Sequence, residues 1–82
     1  MTKEVVDTLC ELIIEIKPER HLAVRAGARL QSEIGLSSVE IIDLVIAVED
    51  AFSIEIPDDD TGDLMDATVV ELAERVQRLL ED

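Results

Sequence analysis

Three stretches of aliphatic residues repeat at helical spacing, and a chain patterned this way is constrained to pack amphipathic helices around one core. Over residues 3–16, Val5, Leu9, Leu12 and Ile16 mark one helical face with Val6 and Ile13 beside it, and Pro18 ends the run. Over residues 38–52, Ile41, Leu44, Val45, Val48 and Phe52 gather on one side. Over residues 68–81, Thr68 and Glu71 have the spacing of a capping box, after which Val69, Leu72, Ala73, Val76 and Leu80 supply an inner face. Phe52 is the only aromatic residue, so the core has to be built from Leu, Ile, Val and Ala.

The connections are less regular. Residues 17–37 lose the helical period, with Leu22, Val24, Leu30 and Ile34 as expected anchors and Arg25, Gly27 and Arg29 as exposed positions. A connection of this length in a compact domain is either functional or packed down. Pro57 and the run Asp58-Asp59-Asp60-Thr61-Gly62-Asp63 interrupt the pattern again, leaving room for a short helical turn over 58–65. No repeat, low-complexity segment or linker divides the chain, so the expectation is one all-α domain over residues 1–82. A domain of this length buries only about 60% of the surface its unfolded chain exposes, which argues against a large enclosed active site.

Formal charge is −13, and it is unevenly distributed. Between Arg29 and Arg75 there is no Lys or Arg, while that stretch holds thirteen carboxylates. Such a surface repels nucleic-acid backbones and anionic membranes and favours partners with basic patches. Apolar residues make up 48% of the chain and fall in periodic runs, which separates it from acidic disordered sequences. No signal-like N-terminal run is present and no apolar stretch approaches the roughly 20 residues of a membrane span, so no membrane insertion and a cytoplasmic location are expected. The single cysteine, Cys10, cannot build a disulfide framework or a cysteine zinc site and reads as a packing residue. His21, the only histidine, reads as a solvated loop residue. The aspartate run fails as an EF-hand: with Gly62 at the invariant glycine, Pro57 takes the first ligand position and Thr68 the place of the bidentate Glu. No metal site is expected, and any divalent ions at Asp58, Asp59, Asp60 and Asp63 would only screen repulsion.

Glu33-Ile34-Gly35-Leu36-Ser37-Ser38-Val39-Glu40-Ile41-Ile42-Asp43-Leu44 is the informative segment. It reads as a loop with a glycine turn entering a helix, with Ser37 as N-cap and Glu40 completing a capping box. Ser38 is then the first helical residue, its hydroxyl at the positive end of the macrodipole, where an attached phosphodiester is favoured by roughly 0.3–1 kcal/mol. A plain helix start with an incidental second serine explains the same residues.

The segment Gly35-Leu36-Ser37-Ser38-Val39 resembles the Gly-x-Asp-Ser-Leu pattern of acyl and peptidyl carrier proteins, in which the serine accepts a phosphopantetheine arm. Asp43-Leu44-Val45, Glu49-Asp50-Ala51-Phe52 and Ile54-Glu55-Ile56-Pro57-Asp58 are similar to the same family in order and spacing, so that nearly the whole chain aligns. The resemblance implies a small four-helix bundle of the acyl-carrier type, with three main helices, one short helix and a long ordered loop after the first. It implies 4'-phosphopantetheine on Ser38, installed by a phosphopantetheinyl transferase. It further implies thioester transport for acyl-loading, ketosynthase-type or acyltransferase enzymes of fatty-acid, polyketide or related biosynthesis, by a monomer without catalysis of its own. Ser37 stands where the family has Asp; both residues cap, but one charge beside the serine is lost, which bears on recognition by the transferase. Val39 replaces Leu, and the chain is slightly longer between Thr61 and Thr68 than housekeeping carriers, departures that suggest a specialised pathway. A carrier-like or unrelated acidic docking module that is never modified is the alternative.

At 100° per residue the second helix turns Val39, Asp43, Ile46 and Asp50 away from its inner side, with Glu40 and Glu49 flanking them. Apolar contacts ringed by carboxylates suit transient binding to basic surfaces, although isolated exposed apolar residues are common. The resemblance places the family's recognition helix here. It also implies an acyl pocket between helices, for which Ile41, Leu44, Val48, Ile56, Leu64 and Leu72 are the candidate lining; the same residues serve equally as ordinary core.

Overall fold

The computed structural model describes residues 2–81, so Met1 and Asp82 of the expected domain lie outside the described residues. Four α-helices follow in order: α1 (Thr2–Ile16), α2 (Ser38–Phe52), α3 (Asp58–Leu64) and α4 (Val69–Glu81). Among the described residues the only extended pairing is an isolated antiparallel bridge between Arg29 and Thr68. The architecture is that of a small all-helical bundle of the acyl-carrier type.

α1 lies against both α4 and α2. Two neighbours cover a wide strip, centred on Val5, Val6, Leu9 and Ile13, so Leu12 and Ile16 sit at its edge, half-buried. α2 contributes Ile41, Leu44 and Val48, and α4 contributes Val69, Leu72, Ala73 and Val76. The expected inner position of Leu80 is corrected: it is exposed and borders a surface depression with Val5, Thr8 and Phe52, while Leu79 packs against the core. The radius of gyration is 11.3 Å, close to the roughly 12 Å expected for a chain of this length.

The long connection is packed down. It opens with a 3-10 segment at Pro18–Ala23 that is kinked at Arg20 (φ −107°, ψ 16°) and leaves both Glu19 and Leu22 on the solvent side. Leu22 is therefore no anchor; it is 88% exposed. The expected anchors Leu30 and Ile34 do enter the core, joined by Ala28 and Leu36, and Val24 packs half-buried against it. The backbone is fastened to the start of α4 by Leu30 N donating to Ala67 O (3.0 Å), Val69 N to Ala28 O (3.1 Å) and Val70 N to Ala26 O (2.9 Å). Asp66 adds side-chain acceptors, taking hydrogen bonds from the amides of Gln31 (3.2 Å) and Ser32 (2.9 Å) and from the Ser32 hydroxyl (3.0 Å).

The expected turn over 58–65 is a short helix ending at Leu64. Three aspartates occupy its first turn, where the macrodipole favours anions, and Leu64 buries its one apolar anchor. Arg75 reaches across from α4 to Asp60, with Nη1 2.7 Å from Oδ2.

Candidate functional site

The N-terminus of α2 is built by a reciprocal capping box. Ser37 is extended (φ −74°, ψ 167°), its hydroxyl accepts from Glu40 N at 3.1 Å, and its own amide donates to Glu40 Oε1 at 2.8 Å. The cap predicted from sequence therefore forms with Ser in place of Asp. Ser38 is the first helical residue and is exposed. Among the described residues no intramolecular partner engages its hydroxyl, and helix geometry leaves the amides of Ser38 and Val39 without carbonyl acceptors. A tetrahedral phosphodiester on this oxygen meets open solvent on one side and the positive end of a 15-residue helix on the other, so the site fits a phosphopantetheine group.

Glu40 does more than cap. Its Oε1 also accepts from Lys17 Nζ at 2.9 Å, and Lys17 donates a second hydrogen bond to Gly35 O at 3.1 Å. The Ser37 amide first, then Lys17, hold this carboxyl below the usual carboxylate range. Behind Gly35 the loop is gripped by Arg20, whose Nε donates to Ile34 O (2.9 Å) and Nη2 to Glu33 O (3.0 Å). Gly35 has φ +86°, a conformation that side chains disfavour. Sequence reasoning placed neither Lys17 nor Arg20 at the site, because both lie far upstream in a connection without periodicity.

The outer face of α2 carries Val39 (68% exposed), Ile42 (47%) and Ile46 (58%), with Asp43 and Asp50 also exposed. Ile42 was missed, although 39, 42 and 46 have the spacing of a single helical stripe. Two of the flanking carboxylates are committed elsewhere: Glu40 as described, and Glu49, whose Oε2 accepts from Ile56 N at 2.7 Å. The six expected pocket residues, Ile41, Leu44, Val48, Ile56, Leu64 and Leu72, are all buried within the packed core. Beside them an open groove of about 430 Å³ runs along α2 and α3, lined by Ile42, Val45, Ile46, Glu49, Ile56, Asp58 and Thr61. Only Ile56 belongs to both sets.

Cys10 is half-buried against the core, and burial, reinforced by Asp7, pushes its thiol pKa up, away from reactivity. His21 is exposed, its Nδ1 3.0 Å from Pro18 O. No described helix is long and apolar enough to cross a membrane.

The family described as "Phosphopantetheine attachment site" matches residues 5–76, which includes α2 and the loop that leads into it. Acyl carrier protein of Thermobifida fusca (strain YX) is 30% identical over 76 residues, covering 93% of this chain and 94% of that protein. Acyl carrier protein of Bdellovibrio bacteriovorus (strain HD100) is 32% identical over 71 residues, covering 83% and 85%. That of Prochlorococcus marinus (strain MIT 9515) is 32% identical over 57 residues, covering 70% and 71%. The match spans the bundle as well as the serine loop, so the chain belongs to the acyl carrier protein family and bears 4'-phosphopantetheine as its covalent cofactor.

Proposed function

We propose that Ser38 carries the arm and that the chain shuttles acyl groups as thioesters between biosynthetic enzymes, acting as their substrate and not as a catalyst. The observation that carries this reading is the uncommitted, exposed hydroxyl of Ser38 at the first position of a capped helix. In the loading step Ser38 Oγ forms a bond to the pantetheine-side phosphorus of coenzyme A. The phosphoanhydride bond breaks, the adenosine bisphosphate half leaves, and the hydroxyl proton passes to a base of the transferase. The thiol at the end of the arm then exchanges acyl groups with partner enzymes of fatty-acid, polyketide or related pathways.

The docking surface in this reading is the outer face of α2, with Val39, Ile42 and Ile46 as apolar contacts and Asp43 and Asp50 as charged ones. Glu40 and Glu49, already hydrogen-bonded within the chain, contribute less than their positions on the helix suggest. A carried acyl chain rests at the groove between α2 and α3; reaching Ile41, Leu44, Val48, Leu64 and Leu72 requires α3 to yield. Amide shifts that are the same in acylated and unacylated holo protein at these residues would exclude such shelter.

Co-expression with a broad-specificity phosphopantetheinyl transferase tests the attachment. The expected product is heavier by one phosphopantetheinyl group, and Ser38→Ala is expected to stay unmodified. No mass increase, or an increase that persists in Ser38→Ala, would leave an unmodified docking module as the better reading.

A further inference from the structure

Three consecutive carbonyl oxygens lead towards Ser38, and each is held by a cationic side chain. Arg20 donates to Glu33 O at 3.0 Å and to Ile34 O at 2.9 Å, and Lys17 donates to Gly35 O at 3.1 Å. Leu36 is fixed separately, its amide donating to Leu30 O at 2.9 Å and its side chain buried. Ser37 is reached through Glu40 Oε1, which accepts from both the Ser37 amide and Lys17. Every residue from Glu33 to Ser37 is thus tied down, and the ties stop one residue short of the serine.

These bonds do more than close a loop. Hydrogen bonds from a charged donor are roughly twice as strong as neutral ones, and the planar guanidinium of Arg20 sets two neighbouring carbonyls at one fixed relative angle. Gly35 supplies the positive φ within this stretch, and a Cβ built there would lie 3.7 Å from Arg20 Nε. Both cations come from the 3-10 connection and its entry, not from α2, so the orientation of the serine depends on a segment outside the outer α2 face.

We propose that Lys17 and Arg20 are positioning residues for phosphopantetheinylation, holding the loop and the first turn of α2 so that Ser38 Oγ is presented in one orientation to the incoming phosphorus. The proposal rests on Ser38 being the attachment residue. Neither residue touches the reacting atoms; both act through the Glu33–Gly35 carbonyls and Glu40. Losing such orientation while the docking face stays intact reduces the rate of the bound complex more than its formation.

The test is steady-state loading of full-length apo protein by a broad-specificity transferase with coenzyme A, comparing wild type, Lys17→Met, Arg20→Met, Lys17→Arg and Arg20→Lys. Circular dichroism and thermal midpoint are measured for each. For the Met variants kcat is expected to fall about tenfold or more while KM stays within about twofold. Lys17→Arg should recover most of the loss, since a guanidinium can still reach Glu40 and Gly35 O. Arg20→Lys should recover little, because an ammonium does not reproduce the fork across two carbonyls. Wild-type loading with a Ser38→Ala control reads the attachment itself, separately from the variants. With that loading in place, an unchanged kcat in the Met variants overturns the proposal, as does a change confined to KM, which would mean that Lys17 only masks Glu40 from the partner. If the Met variants fail to fold, the conservative pair decides: equal kcat in Lys17→Arg, Arg20→Lys and wild type overturns it.

Discussion

Ser53 adopts a left-handed conformation (φ 54°, ψ 47°) at the C-cap of α2, a region that costs a residue with a Cβ roughly 1–2 kcal/mol. Ser53→Gly should therefore raise unfolding stability by about 1 kcal/mol. Gly35→Ala should lower it by a similar amount, about 1 kcal/mol, because there the glycine already supplies the positive φ. Urea denaturation of the two variants checks both signs; a stabilised Gly35→Ala would show that the loop is freer than its hydrogen bonds imply. A second residue-scale effect concerns acid. Glu40, Asp66 and Glu71 are each held below the usual carboxylate range, chiefly by backbone amides of Ser37, Ser32 and Thr68 respectively. Their contribution is complete above the ordinary values of 4.5 for Glu and 3.8 for Asp, and is lost as pH falls through the lower folded values. Mild acid also relieves repulsion among the remaining carboxylates, so stability should pass through a maximum at weakly acidic pH and fall below it. In Asp66→Asn the low-pH fall should be shallower in thermal scans; an unaltered fall would remove Asp66 from the account.

At the scale of elements, α2 divides its carboxylates into spent and available ones, which gives a prediction that charge counting misses. Asp43→Lys should slow Ser38 loading and weaken partner binding, with the deficit shrinking as salt rises, and should not lower the thermal midpoint, since it relieves repulsion and breaks no contact among the described residues. Glu40→Lys should slow loading too but also destabilise by about 1 kcal/mol, since it removes a capping-box acceptor and sets a second cation beside Lys17. Ile46→Glu should impair docking with little salt dependence. Unchanged kinetics in Asp43→Lys and Ile46→Glu, with the fold intact, would move the docking surface off α2. The extents of the three long helices were legible because each carries its own period and its own stop or start: Pro18 after α1, Ser37-Glu40 before α2, Thr68-Glu71 before α4. Both capping boxes are local and visible in four residues. Leu22 and Leu80 were misplaced because hydrophobicity says what a residue prefers, whereas exposure depends on whether a neighbour arrives to cover it. The grip of Lys17 and Arg20 on the serine loop was illegible for a related reason: it acts on carbonyls, which every residue has, so no residue type marks the target.

For the whole molecule, −13 on 82 residues means that compaction works against self-repulsion. Five of the seven basic residues lie at or before Arg29, so the carboxylates of α2, α3 and the intervening loop have few local counterions beyond Lys17 and Arg75. Salt screens exposed charges over about 10 Å at 0.1 M. The thermal midpoint is therefore expected to rise with sodium chloride, and at millimolar divalent cation as well. A midpoint indifferent to both would show that packing, not repulsion, limits stability. The contact between α1 and α4 has a bearing on synthesis. Everything between Ile16 and Val69 must emerge from the ribosome before the last helix can pack against α1, an interval on the order of several seconds at ordinary translation rates. Through that interval the nascent chain shows the apolar face of its first helix, followed by a basic stretch from Lys17 to Arg29 and then, from Glu33 onward, a growing acidic tail. The charge that strains the finished bundle thus acts, while the protein is unfinished, to keep that uncovered face in solution.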